Sequence, residues 1–167
     1  MKILVINRYY WPDKSADSRI IHEISKFLAN KNHEVDVIHS PLSNKKKKDS
    51  KKLSSQNIFK NLKVFRLSLS KETLSPLSRI VNAIKMSFFV FIKSLERNYD
   101  VIIVTTIPPI LSGFFSTIVA KIIKARVIYY CMDLNPEIGG LSGDFKNKYL
   151  YKLLFRLDHW TCQKANP

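Results

Sequence analysis

Short apolar runs alternate with amphipathic stretches along this chain. Runs rich in Val and Ile are typical of strands that are buried on both faces of a parallel sheet. We predict five such strands, over residues 2–7, 34–40, 63–67, 100–105 and 126–132. Apolar residues recur at helical spacing in four other stretches, for which we predict helices over residues 15–31, 76–98, 110–124 and 145–163. This order predicts an α/β fold, a doubly wound parallel sheet with helices on both faces.

The predicted helix over residues 76–98 begins with Ser75 as N-cap and Pro76 in the first turn. Its largest apolar residues share one face, namely Leu77, Val81, Ile84, Phe88, Ile92 and Leu95. Basic residues lie around this face, and additional apolar residues make the apolar surface wider. One interpretation is a core helix with a solvated basic back. The other is a helix that contacts an anionic membrane. The residues that would make this contact are Arg79, Lys85, Met86, Phe89 and Lys93.

The composition indicates one globular domain over residues 1–167, with 46% hydrophobic and 25% charged residues. The net charge is +15, and Lys45–Lys52 alone holds six lysines and one aspartate. Residues 41–60 lack apolar periodicity, which predicts an exposed, mobile loop. The basic excess favours an anionic partner such as lipid headgroups or a phosphorylated substrate, although basic surfaces also occur without a partner. We expect no nucleic acid, because the lysine run has no interleaved aromatic residues.

Two cysteines and four scattered histidines show no metal-ligand spacing, so we expect no metal site. The first apolar run is too short for a signal peptide, and the longest apolar stretches fall short of about 18 uninterrupted residues. We therefore predict a cytoplasmic protein.

Three predicted strands end abruptly in polar, aromatic or proline-containing segments, which are Asn7–Asp13, Thr105–Pro109 and Asp133–Glu137. Ligands of parallel sheets bind outside the carboxyl ends of the strands, so these segments are the candidate site. The glycines of a dinucleotide fingerprint are missing from the first segment, and no dinucleotide cofactor is expected.

The first segment contains three adjacent aromatic residues, Tyr9, Tyr10 and Trp11. Such residues suit stacking on a sugar ring or contact with a lipid. The alternative is a packed loop that covers the end of the sheet. In the third segment, Asp133 and Glu137 could bind sugar hydroxyls or assist proton transfer. The alternative is that Asp133 or Asn135 caps a turn and Glu137 is solvated.

Three segments together resemble a known family. The run MKILVINRYYWPDKSADSRIIHEISKFLANKNHEVDVIHS resembles the opening of family 4 glycosyltransferases, particularly those of bacterial surface-polysaccharide and lipid-linked sugar synthesis. The segments DVIIVTTIPPIL and ARVIYYCMDLNPEIGG resemble two further motifs of that subgroup in the expected order. Many relatives have a Gly-Gly turn where this chain has Lys14–Asp17, and a His where it has Asp133.

The resemblance implies the Rossmann-like N-terminal half of a GT-B enzyme, which handles the acceptor. This half belongs to a retaining transferase that moves a sugar from a nucleotide-sugar to a membrane- or lipid-linked acceptor. The half that binds the nucleotide-sugar has no counterpart in this sequence, so we expect a truncated chain or part of a split enzyme, inactive alone. The alternative is a non-catalytic subunit that docks on the membrane and recruits a separate donor-binding chain.

The resemblance also suggests roles for individual residues. Asp133 and Glu137 would be catalytic and lie near the acceptor hydroxyl. The residues that would line the cleft are Tyr9, Tyr10, Trp11, Asp13, Thr105, Thr106, Pro108 and Asn135. No cofactor is expected beyond the nucleotide-sugar substrate. The expected location is peripheral, at the inner face of an anionic membrane.

Overall fold

The structure, a computed structural model, describes residues 1–40, 60–67, 69, 76–106, 110–133 and 148–165, with residues 76–80 described by their backbone alone. Its strands are β1 (Lys2–Ile6), β2 (Glu34–His39), β3 (Leu62–Arg66), β4 (Val101–Thr105) and β5 (Arg126–Tyr130). They form one parallel sheet in the order β3-β2-β1-β4-β5. The helices in the described part are α1 (Ala16–Asn30), α2 (Pro76–Leu95), α3 (Leu111–Ile123) and α4 (Lys148–Lys164). The predicted α/β, Rossmann-like fold is confirmed.

The strand and helix bounds follow the polar residues that interrupt the apolar pattern. The N-cap of α1 is Ser15, whose side chain accepts a hydrogen bond from the amide of Ser18 at 3.2 Å. α2 begins at Pro76 as predicted but ends at Leu95, three residues earlier than expected. Residues 41–59 of the predicted basic loop lie outside the described residues.

Successive side chains of the strands point to opposite faces of the sheet, and each face has its own core. On one face Leu4, Ile6 and Ile102 pack with Met86 and Val90 of α2. On the other face Ile3, Val5, Val35 and Val37 pack against Ile21 of α1. α3 lies beside α2, and α4 packs on α3. No described helix is both long enough and apolar enough to span a membrane.

The orientation of α2 differs from the sequence-based expectation. Its buried residues are Asn82, Met86, Ser87, Val90 and Ser94. Its exposed large apolar residues are Val81, Ile84, Phe88, Ile92 and Leu95. The physical reason is close contact with α3, where the Ser87 and Ser112 hydroxyl oxygens lie 3.4 Å apart on small side chains. Met86 is fully buried, so the expectation that it contacts a membrane is corrected.

A buried carboxylate ties β2 to the segment between α2 and β4. Asp36 is only 2% exposed, and its Oδ2 accepts hydrogen bonds from Arg97 Nη1 at 2.6 Å and the Tyr99 hydroxyl at 2.8 Å. Arg97 also donates to Glu34 at 2.8 Å. A buried polar group is costly unless it is hydrogen-bonded, and these two donors satisfy the Asp36 carboxyl group.

Candidate functional site

The carboxyl ends of β1 and β4 are joined by a side-chain hydrogen bond. Asn7 follows β1 directly and is fully buried. Its Oδ1 accepts a hydrogen bond from the Thr105 hydroxyl at 2.6 Å, while its Nδ2 donates to the Tyr9 carbonyl at 2.6 Å. The amide of Asn7 donates to the Ile38 carbonyl at 3.2 Å, which adds the end of β2. Asn7 therefore fixes the start of the loop that leads to α1.

The ends of β4 and β5 are joined in a similar way through Thr106. Its hydroxyl oxygen accepts hydrogen bonds from the amides of Met132 and Asp133, each at 3.1 Å. Its own amide donates to the Tyr130 carbonyl at 3.3 Å. Thr106 is buried, whereas Asp133 is exposed. The backbone of Asp133 is thus held in place while its carboxylate is open to solvent.

The loop after β1 combines packed and exposed aromatic residues. Tyr10 is 3% exposed, with its ring between His22 and His39 at centroid distances of 5.3 and 5.6 Å. Its hydroxyl lies 3.2 Å from Nδ1 of His22. Trp11 also stacks on His22, with the ring centroids 5.5 Å apart, and is 42% exposed. Tyr10, which was expected to line the cleft, is therefore packed into the core, and Trp11 presents an aromatic surface.

Backbone and hydroxyl hydrogen bonds close the rest of this loop. The amide of Asp13 donates to the Tyr10 carbonyl at 2.9 Å. The buried Ser18 hydroxyl donates to the carbonyls of Asp13 and Ser15. Arg8 lies 5.5 Å from the centre of the Tyr9 ring, and both side chains are partly exposed. These contacts hold Tyr9, Trp11 and Asp13 on the loop that borders the strand ends.

Burial controls the protonation of this aromatic cluster. Desolvation, with a smaller contribution from the nearby positive charge of Arg66, lowers the pKa of His39 to about 4. Desolvation also lowers the pKa of His22, an effect that Glu23 opposes. The pKa of Tyr10 is raised to about 12, chiefly by burial. Near neutral pH all three rings are therefore uncharged and act as packing groups.

The structure brings the described candidate residues to one edge of the sheet. Thr105, Thr106 and Asp133 lie at the ends of adjacent strands, and Trp11 lies on the loop that Asn7 anchors. Three other candidates, Pro108, Asn135 and Glu137, lie outside the described residues.

The residues expected to contact a membrane lie elsewhere, on α2. Lys85 is exposed and Phe89 is partly buried. Lys93 is also partly buried and donates to both carboxylate oxygens of Glu96, at 2.9 and 2.7 Å. The side chain of Arg79 is not among those described.

Three residues of this site were not predicted from the sequence, namely Asn7, His22 and His39. Asn7 was detectable as the first polar residue after an apolar strand, the position where a buried amide can join neighbouring strand ends. The histidines had no such signal, because they are separated from Tyr10 by 12 and 29 positions in the chain and meet it only in the fold.

The arrangement is suited to binding a hydroxyl-rich ligand. Trp11 offers a ring face for stacking, and the exposed Asp133 carboxylate can accept hydrogen bonds from hydroxyl groups. Within the ranges that the structure describes, no three His, Cys, Asp or Glu side chains are grouped so that they could hold a metal ion.

No family model matches the sequence, and no curated protein matches it. The structure is similar to the C-terminal domain of a hydrogenase from Pyrococcus furiosus, with 14% identity and a TM-score of 0.53. That match covers 77% of this chain and 89% of the other. The structure is also similar to TcCGT1, a GT-B UDP-glycosyltransferase solved in complex with UDP, with 13% identity and a TM-score of 0.56.

The match to TcCGT1 covers 89% of this chain and 33% of TcCGT1, so this chain spans about a third of that protein's length. At these identities the two likenesses show the fold alone. The fold is Rossmann-like, of the kind found in GT-B glycosyltransferases.

Proposed function

We propose that this chain is the acceptor-binding half of a glycosyltransferase. The observation that carries the proposal is the row of residues Asn7, Thr105, Thr106 and Asp133 at the carboxyl edge of the sheet, beside the exposed ring of Trp11. Ligands of open α/β sheets bind at this edge. The fold shared with TcCGT1 supports a sugar as the ligand, and the sequence resemblance to family 4 supports the same class.

In this proposal Trp11 stacks on the acceptor sugar, and Asp133 receives the hydrogen bond of the reacting hydroxyl. The hydroxyl oxygen bonds to the anomeric carbon of a nucleotide-sugar, while the bond from that carbon to the diphosphate breaks and its electron pair leaves with the diphosphate. The proton of the hydroxyl passes to Asp133. Glu137 and Asn135 would complete the acceptor contacts, and the diphosphate would be stabilised by a second, donor-binding half.

The role of Thr106 is to position Asp133 rather than to touch the substrate. Its hydroxyl oxygen holds two consecutive amides at 3.1 Å, which sets where the carboxylate leaves the sheet. Positioning of this kind matters because a misplacement of about 1 Å can cost on the order of a hundredfold in rate.

The proposal is tested by sugar binding to the chain itself. The chain contains two tryptophans, so Trp160→Phe leaves Trp11 as the single indole reporter. We expect saturable changes in Trp11 fluorescence when methyl glycosides are titrated. Asp133→Asn should weaken binding about tenfold, because it removes a charge-assisted hydrogen bond.

Glu96→Gln is the matched control, since Glu96 follows α2 at the opposite, amino edge of the sheet and pairs with Lys93. An unchanged affinity in Glu96→Gln, together with a loss in Asp133→Asn, supports the site. Equal affinities in both variants, or no saturable response to any sugar, would refute it.

A further inference from the structure

The outer side of α2 carries an exposed apolar stripe, which we define as Val81, Ile84, Phe88, Ile92 and Leu95. Each of these side chains is between 41% and 63% exposed. Their spacing of three or four residues places them on one face of the helix. At 1.5 Å per residue the stripe is about 21 Å long. A surface helix normally turns such a stripe inward, and an exposed apolar patch marks an interaction site.

The neighbouring helices of the same layer also expose apolar side chains. Phe91 of α2 meets Phe115 of α3 with their ring centroids 6.1 Å apart, and Ile122 of α3 is 60% exposed. α4 packs on α3, and its Leu153 and Tyr149 are 53% and 86% exposed. Exposed apolar groups therefore occur on each of the three described helices that cover this face of the sheet.

The charges of this layer are almost all positive. The three helices contain eight basic residues, three on α2, one on α3 and four on α4: Arg79, Lys85, Lys93, Lys121, Lys148, Lys152, Arg156 and Lys164. Their single acidic residue is Asp158, which accepts a hydrogen bond from the Tyr129 hydroxyl at 2.6 Å. α2 contains no acidic residue at all, and its Lys85 is exposed beside Ile84.

We propose that the apolar stripe of α2 docks this protein on an anionic lipid bilayer. In the docked state α2 lies along the surface, Phe88 and Ile84 enter the boundary between headgroups and acyl chains, and Lys85 pairs with a lipid headgroup. This combination of an apolar stripe and flanking cations is the pattern of helices that bind in the membrane interface. The proposed membrane-contact surface is the outward side of α2, whereas Met86 lies on the inward side.

A second copy of this chain fits the surface less well than a bilayer does. Two such layers would bring a large excess of positive charge face to face, and like charges across an interface oppose association. An anionic bilayer supplies both the complementary charge and the apolar interior. The inference does not depend on sugar transfer, because the stripe is separate from the strand ends that hold Asp133.

Vesicle sedimentation with the full chain tests the proposal. We expect retention on vesicles of phosphatidylcholine with about 30% phosphatidylglycerol, and weak retention on phosphatidylcholine alone. Retention should fall as NaCl rises from about 0.1 to 0.5 M, because screening shortens the reach of the charges. Lys85→Gln should weaken partitioning about fivefold, and Phe88→Ser about tenfold.

The chain offers a matched control on the other side of the sheet. Phe27 of α1 is 61% exposed, against 63% for Phe88, and Lys31 lies 5.6 Å from the Phe27 ring. Phe27→Ser and Lys31→Gln should leave vesicle binding unchanged. Because Phe27 and Phe88 are both exposed, their replacement is expected to leave folding intact, which circular dichroism and thermal melting would verify.

A second measurement locates the contact directly. Tryptophan placed at position 88 should be quenched by brominated lipid in anionic vesicles, whereas tryptophan placed at position 27 should not. Quenching at both positions, equal losses of binding in Phe88→Ser and Phe27→Ser, or no retention on anionic vesicles would overturn the proposal. A dimer in sedimentation velocity that Phe88→Ser abolishes, without any vesicle binding, would assign the stripe to a second copy instead.

Discussion

His39 is expected to make the stability of this protein sensitive to mild acid. The ring lies at the end of β2, is 6% exposed, and its Nδ1 has no hydrogen-bond partner among the described residues. Burial lowers the pKa of His39 in the folded protein to about 4, whereas an unfolded chain takes up the proton near 6.5. Between these two pH values the His39 ring is neutral in the folded protein and protonated in the unfolded chain. Lowering the pH over this range therefore shifts the folding equilibrium towards the unfolded chain.

The sign and size of the effect follow from these two values. The stabilisation is fully present above about pH 6.5 and is lost as the pH falls towards 4. At about 1.36 kcal/mol per pH unit, the whole gap amounts to roughly 3 kcal/mol. Most of it, about 2.5 kcal/mol, is lost between pH 7.5 and 4.5. This is a large share of the 5–15 kcal/mol that typically stabilises a domain.

Urea unfolding at pH 7.5 and 4.5 measures the effect. Other groups also titrate over this interval, so the comparison is between the wild-type chain and His39→Gln, which cannot take up the proton. We expect the variant to lose about 2.5 kcal/mol less than the wild type on acidification. His159→Gln, at an exposed histidine of α4, should behave like the wild type. If His39→Gln and the wild type lose the same free energy, the assigned role of His39 is refuted.

Three further predictions concern contacts described above. Tyr99→Phe should lower the free energy of unfolding by about 1–3 kcal/mol, because it takes one donor from the buried carboxylate of Asp36, and an unchanged urea midpoint would contradict this. Gly113→Ala should lower the free energy of unfolding by about 1 kcal/mol, since the new Cβ would lie 3.0 Å from the Tyr129 ring. A raised melting temperature would contradict this and show that the ring moves aside. Thr106→Val should lower the free energy of unfolding by about 1–2 kcal/mol and weaken sugar binding, because two amides at the end of β5 lose their acceptor. If only the stability falls and sugar binding is unchanged, the role of Thr106 is confined to folding.

The sheet was predictable because its signal is local. The two central strands, β1 and β4, are short runs rich in Val and Ile, and such a run indicates a strand buried on both faces without knowledge of its neighbours. The helices predicted between β1 and β2, between β3 and β4, and between β4 and β5 then favoured a parallel arrangement. The observed start of β4 differs from the predicted one by a single residue, Asp100. The backbone of Asp100 still bonds to both neighbouring strands, since its amide donates to the Lys2 carbonyl and its carbonyl accepts from the Arg126 amide, each at 2.9 Å.

The direction in which α2 faces was not predictable from its own sequence. Periodicity shows that a helix has two different sides, but the partner determines which side is buried. Here Ser87 meets Ser112 of α3, and Met86 and Val90 fill the core, so the more apolar side remains outside. The place of Tyr10 was equally hidden, because His22 and His39 reach it from different elements. Contacts between distant segments decide both outcomes.

The position of β1 in the middle of the sheet has a consequence for synthesis of the chain. β1 pairs with β2 on one edge and with β4 on the other, and the partners Ile3 and Val101 are about 98 positions apart, as are Asn7 and Thr105. At a translation rate of about 5–20 residues per second, β4 leaves the ribosome roughly 5–20 s after β1. During that interval the inner edge of the future sheet is an unpaired, apolar strand edge, the kind of surface that recruits chaperones or aggregates. The same interval passes before the Asn7 amide meets the Thr105 hydroxyl, so the proposed sugar site is among the later parts of the nascent chain to form.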